Sequence, residues 1–127
     1  MTIKIEIKGL EELKARLKTY SEEQIKAADE AVTQATFFVE GEVKESIAGH
    51  RDLPVTVDSS NYINSVTGEK TGLLQGTVSN NVEYAGAIEE YGWPPSLPPR
   101  PHFGNTAIRT ADKVREFIEK KIKEVKL

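Results

Sequence analysis

Isoleucines 3, 5 and 7 alternate with Lys4, Glu6 and Lys8, the two-residue period of a half-buried strand, and Gly9 ends the run. Leu10, Leu13 and Leu17 then recur at helical spacing and predict a short helix. Ser21 followed by Gln24 has the form of a capping box. Beyond it Ile25, Ala28, Val32, Ala35, Val39, Val43 and Ile47 fall three or four residues apart, with Ala31 and Phe38 widening the stripe. They predict one helix of about 27 residues, roughly 40 Å long at 1.5 Å per residue. Gly49 is its natural stop. Gly41 lies inside it at a cost near 1 kcal/mol relative to Ala, which points to a close helix contact or a bend. A helix this long exceeds what a small core needs, so part of it is expected to pack against another subunit.

The periodicity vanishes from His50 to Asn61, where Pro54, Asp58, Ser59, Ser60 and Asn61 are loop formers. Two apolar-containing runs follow, Tyr62–Val66 and Leu73–Val78, joined by the turn-rich Thr67–Gly72, and the pattern predicts a β-hairpin. Val82–Tyr91 predicts a helical turn. The segment Gly92–Pro101 carries five of the six prolines and reads as a stiff, extended loop. A last helix is expected from Thr106 to Val125, with Asn105 as N-cap and a stripe of Ala107, Ala111, Val114, Ile118, Ile122 and Val125. The fold class is α+β: a small antiparallel sheet with a long helix and a C-terminal helix on one face. No repeat or linker is visible, so residues 1–127 are expected to form a single domain.

Composition narrows the functions. The net charge of -3 disfavours tight duplex binding, which draws most of its affinity from phosphate neutralisation. The interleaved Lys and Glu residues read as solvated helical faces. There is no cysteine, hence no disulfide framework and no thiolate metal site. No run of about 20 apolar residues and no signal-peptide core occurs, so the chain is expected to be soluble and made in the cytosol.

The residues suggest no catalytic chemistry. His50 follows a predicted helix end and is expected to serve the terminal carbonyls. His102, between Pro101 and Phe103, reads as a packing or surface residue. Neither forms a ligand spacing with Asp52 or Asp58. No nucleophile elbow, P-loop or dinucleotide fingerprint is present. Glu89-Glu90 reads as solvated acidic surface. No cofactor, metal or catalytic residue is therefore expected. The unusual feature is the aromatic and proline cluster from Tyr84 to Phe103. Tyr, Trp and Arg dominate interface hot spots, and a preordered loop loses less entropy on binding. Tyr84, Tyr91, Trp93, Pro94, Pro95, Leu97 and Arg100 are therefore the expected interaction residues, against the plainer reading in which the rings cap the core.

At this cluster the chain resembles a known family. Val82-Glu83-Tyr84-Ala85-Gly86-Ala87-Ile88-Glu89-Glu90-Tyr91-Gly92 is similar, with one extra residue, to the "V-x-Y-A-x-x-V-E-x-G" segment of tailed-phage minor tail components typified by gene product ten of the Hong Kong ninety-seven phage. Pro99-Arg100-Pro101-His102-Phe103 resembles that family's "P-x-R-P-F", and Thr106-Ala107 stands where it has "P-A". Gly9-Leu10-Glu11-Glu12-Leu13 matches "G-L-x-E-L". Val57–Val66 can be laid on "A-P-V-D-T-G-x-L-x-x-S-I", keeping Asp58 and Ser65 but with Ser59, Ser60 and Tyr62 replacing Thr, Gly and Leu.

The resemblance implies a structural virion protein that joins head and tail at the neck. It implies a homo-oligomeric ring, six copies by analogy, between a head-side connector or adaptor and a tail terminator or tail-tube protein. DNA would pass through the lumen without specific binding, and no membrane is involved. Two alternatives stand beside it: a non-viral interaction module using the Trp93–Pro101 loop, and a small metal-dependent hydrolase using His50, His102 and nearby aspartates.

Overall fold

The computed structural model describes residues 3–8, 19–54, 59–82, 84–91 and 98–125. Its elements run β1 (Lys4–Lys8), α1 (Glu22–Ile47), α2 (Ser59–Ser65), β2 (Thr67–Gly72), β3 (Gln75–Ser79), α3 (Ala85–Glu90) and α4 (His102–Lys123). The expected helix on Leu10, Leu13 and Leu17 lies outside the described residues, as do Gly9–Leu13 and Asp58.

The three strands form an antiparallel sheet in the order β1-β3-β2. The isoleucine alternation works as its period requires: Ile7 is buried and Ile3 and Ile5 pack against the core, while Lys4 and Glu6 face solvent. Helices α1 and α4 pack on that apolar side, with their mutual interface the most extensive among the described elements. The architecture is the expected α+β one.

Helix α1 begins at the expected cap. Ser21 Oγ accepts from Gln24 N at 3.1 Å, and Gln24 Oε1 accepts from Ser21 N at 3.0 Å. It ends as expected too, with Gly49 at φ 88°, the left-handed geometry that a glycine takes without strain. Ala28, Ala31, Val32, Ala35, Val39, Val43 and Ile47 are all buried. Each fully buried Val or Ile of this stripe contributes about 1.5–3 kcal/mol. Gly41 departs from expectation, since nothing in the described chain lies within 4 Å of where its Cβ would be.

The hairpin is present but displaced. Its strands are β2 and β3, so the stretch expected to be the connector is a strand, and Tyr62–Val66 belongs mostly to α2. The loop expected through Asn61 correspondingly stops short of Ser59. The reason is spatial. Tyr62 and Val66 are four residues apart and both buried, the spacing of a helical face. Strand β2 shows no apolar period because its inward position is Gly68, pressed against Thr36 and Glu40 of α1. Close helix–sheet approach has replaced a hydrophobic side chain with none.

The turn between β2 and β3 is Leu73-Leu74, with Leu74 at φ 58°. A leucine there is strained. Its burial and a hydrogen bond from its N–H to Asp29 Oδ1 at 2.7 Å hold it in place. Lys70 pairs with the same carboxylate at 2.6 Å. Burial raises the Asp29 pKa, but the Lys70 hydrogen bond, the Leu74 N–H and the Lys70 charge together hold it below the usual range.

Helix α4 starts at His102, four residues before the expected Thr106, and Asn105 is not its cap. Its buried face is His102, Phe103, Thr106, Thr110, Ile118 and Ile122. Ala111 is exposed, and Ala107 only half-buried. Ile118 and Ile122 are buried as expected, while Thr106 and Thr110 hid the N-terminal half of the face from a hydrophobicity pattern. Inside the helix Thr110 satisfies its hydroxyl by donating to Thr106 O at 2.7 Å.

Candidate functional site

The aromatic cluster divides between core and surface. Tyr62 of α2 is fully buried and makes edge contacts with Tyr84 at 6.3 Å and His102 at 6.2 Å, and stacks on Phe103 at 6.5 Å. Such pairs add about 0.5–1.5 kcal/mol beyond area burial. Burial first, then the Glu89 carboxylate and Tyr84, push the Tyr62 phenol up. His102, also fully buried, lies with Nδ1 2.7 Å from Ser46 Oγ of α1. Burial, then the nearby Arg100 charge, depress its pKa to about 4 against a weaker opposing pull from Asp52. His102 is thus a neutral packing residue that joins α4 to α1. His50 is exposed and lies on Glu45 at 2.5 Å, near the end of α1.

Glu89 is not solvated surface. Its Oε1 accepts from Phe103 N at 3.0 Å and its Oε2 from Gly104 N at 2.8 Å. It therefore caps α4 from α3, doing from 14 residues away what no local side chain does. The α4 dipole favours a negative charge at this point. Burial nevertheless raises the Glu89 pKa, the two backbone hydrogen bonds only partly offsetting it. Nearby, Arg100 N donates to Ile88 O at 2.7 Å, so the segment entering α4 is stitched to α3. Glu89→Ala is expected to lower unfolding free energy by about 1–2 kcal/mol, the range of a lost cap. Urea denaturation checks it, and a loss below a few tenths of a kcal/mol would show that the carboxylate does not cap.

A polar knot holds the loop after α1. Arg51 donates to both oxygens of Glu42, at 2.7 and 3.2 Å. Arg109 of α4 reaches Glu42 at 3.5 Å and Asp52 at 3.2 Å, and Asn105 Nδ2 donates to Asp52 at 2.9 Å. The Arg51 hydrogen bond leads the causes that hold the Glu42 carboxyl below its usual range. Every strong donor and acceptor here has a structural partner, which makes the knot a fastening.

Of the seven expected interaction residues, the structure places three. Tyr84 is half-buried, and Asn61 Nδ2 donates to its hydroxyl at 3.3 Å. Arg100 is half-buried, and Tyr91 is 73% exposed. Trp93, Pro94, Pro95 and Leu97 lie outside the described residues. Exposed apolar side chains occur elsewhere as well: Phe37, Leu73 and Ile108. Sequence pattern does not single them out, because an exposed apolar residue looks like a core residue until the fold is known. Among the described residues no group of three or more His, Asp or Glu is placed to hold a metal. No described helix is long and apolar enough to cross a membrane.

Among curated proteins and among solved structures, nothing matches the chain. The family described as "Bacteriophage HK97-gp10, putative tail-component" matches residues 11–92, well over half of the sequence. The match takes in α1, α2, the hairpin and α3 with Glu89, and stops before its partners Phe103 and Gly104. The chain belongs to this HK97-gp10-like family of phage tail components.

Proposed function

We propose that the protein is a structural component of the virion that joins head and tail, a ring at the neck rather than an enzyme. Family membership carries this reading: the family is one of tail components, and a tail component works by touching other virion proteins. The physical features agree with it. His102 with Ser46, and Glu89 with the start of α4, fasten helices together, and exposed apolar side chains are distributed over the surface. A neck ring requires head-to-tail contacts between copies that close by rotation. It also requires contacts above and below, to a connector or adaptor on the head side and to a terminator or tail-tube protein on the other. Tyr91 stands exposed, and we assign the Tyr91–Pro101 segment, with Trp93 as anchor, to contact with a neighbouring subunit or an adjoining connector ring. DNA passes through such a ring without being gripped, in keeping with a net charge of -3.

The test is assembly. Lysates lacking the protein should contain filled heads and finished tails that do not join, and the purified protein should restore joined particles. Trp93→Ala should reduce joining at least tenfold while the protein still folds, as expected of a central aromatic anchor. Normal joining without the protein would overturn the neck assignment. Normal joining by Trp93→Ala would overturn only the role of the loop.

A further inference from the structure

We infer that copies of this chain associate head to tail by inserting the Leu73 hairpin tip of one copy into the apolar groove beside Phe38 of the next. The inference rests on the ring reading above and names its interface.

The tip is built against local rules. The left-handed second position of this two-residue turn calls for Gly or Asn, yet it is Leu74. Leu74 has a structural reason, since it is buried and tethered to Asp29. Leu73 has none within the described residues: it stands 68% exposed at the end of the hairpin. What marks Leu73 is its large apolar side chain exposed at a hairpin tip, where turn chemistry favours polar residues.

The groove breaks a second rule. Gln34, Phe37, Phe38 and Gly41 lie at i, i+3, i+4 and i+7, so they share one face of α1, apart from the core stripe. Phe37 is 53% exposed. Beside Gly41 the helix backbone is open, with nothing in the described chain within 4 Å of its missing Cβ. Phe38 and Gln34, with Lys113, Val114 and Phe117 of α4, line a groove of 290 Å³. The glycine costs helix stability and is repaid by no contact among the described residues outside its own helix. A partner approaching α1 closely is what it permits.

The two features cannot meet in one molecule. The tip is tied to α1 at Asp29, and Phe38 is nine residues further along the same helix. At about 100° per residue that is half a full rotation, so tip and groove face opposite ways. A knob on one side and a hole on the other is the arrangement of a heterologous interface, which closes into a ring or runs on as a filament. Charge favours the same pairing. Lys70 is neutralised by Asp29, leaving Glu69 as the hairpin charge outside any described ion pair. The groove is rimmed by Lys113, whose ammonium lies 4.9 Å over the Phe38 ring.

Because the chain has no cysteine, introduced ones report cleanly. Leu73→Cys and Gln34→Cys proteins, both altered at exposed positions, are mixed under mild oxidation. The expected product is the mixed disulfide between the two variants, in excess over either homodimer. Leu73→Asp and Gln34→Asp, the second at an exposed residue lining the groove, should each weaken self-association at least tenfold in light scattering, with helical circular dichroism unchanged. Mixed together, the two Asp variants should give pairs but no rings, because only one intact contact is available to each pair. Rings of wild-type size from Leu73→Asp would overturn the tip-in-groove contact and leave the ring reading standing. Homodimers of Leu73→Cys as the main product would overturn it in favour of a symmetric contact. A wild type that stays monomeric and gives no mixed disulfide would overturn it as well, and the head–tail joining experiment then judges the neck role on its own.

Discussion

Gly76→Ala should be among the most damaging single-methyl substitutions available in this chain, lowering unfolding free energy by about 3 kcal/mol, the upper part of the range for overpacking. A Cβ on Gly76 would lie 2.0 Å from Thr36 Oγ1, 3.0 Å from Thr36 Cβ and 3.1 Å from its Cγ2. No real contact is that short. Thr36 cannot swing aside cheaply, because it is buried and its hydroxyl donates to Val32 O at 2.8 Å, which fixes its rotamer. The backbone of β3 would have to move away from α1, opening the helix–sheet interface. Gly68→Ala should be much milder, since its closest contacts are 3.3 and 3.4 Å. Thr36→Ala removes two of the three clashing atoms, so the double variant Thr36→Ala/Gly76→Ala should recover more than half of the loss. Urea midpoints at constant m-value measure this. A Gly76→Ala loss under 1 kcal/mol, or a double variant that is merely additive, would show that the contact is not what requires the glycine.

Acid should destabilise the protein through His102. Burial and the Arg100 charge lower the folded-state pKa of His102 to about 4, against about 6.5 in the unfolded chain. The unfolded state therefore takes up a proton first. The stability that His102 contributes is complete above pH 6.5 and is lost as pH falls toward 4. A difference of this size amounts to about 3 kcal/mol at the acid end. Glu89, with its raised pKa, acts in the opposite sense over the upper part of that range, so the comparison is made within one background. Stability measured from pH 7 to 4 should fall by several-fold more in the wild type than in His102→Asn, whose amide can still reach Ser46. Parallel curves for the two proteins would refute the assignment. The same chemistry predicts an imidazole resonance that does not titrate between pH 7 and 5.

Local signals and their limits are plain in individual residues. The Ser21–Gln24 box, the seven-residue stripe from Ile25 to Ile47 and Gly49 were readable because a helix repeats itself every few residues, and those residues interact with near neighbours in the chain. The alternation of Ile3, Ile5 and Ile7 was readable for the same reason. Strand β2 was not, because its inward residue is glycine and the reason for it, Thr36, is on another element. The start of α4 was not, because its cap is Glu89, 14 residues back. The family, in turn, was recognisable from short motifs around α3, although those motifs say nothing of what each residue does.

Periodicity and caps by themselves determined that this chain has one long amphipathic helix, a half-buried strand of alternating isoleucines, a hairpin, though not its bounds, and a C-terminal helix, and they offered no familiar catalytic spacing. They did so because those features are encoded by residues within one or two turns of each other. Only the tertiary structure decided that Glu89 is a clamp rather than a surface charge and that His102 is a buried neutral strut. It alone separated Leu73 from Leu74, two identical neighbours of which one is core and the other projects outward. Such assignments depend on which distant atoms arrive beside a side chain, and that is a property of packing.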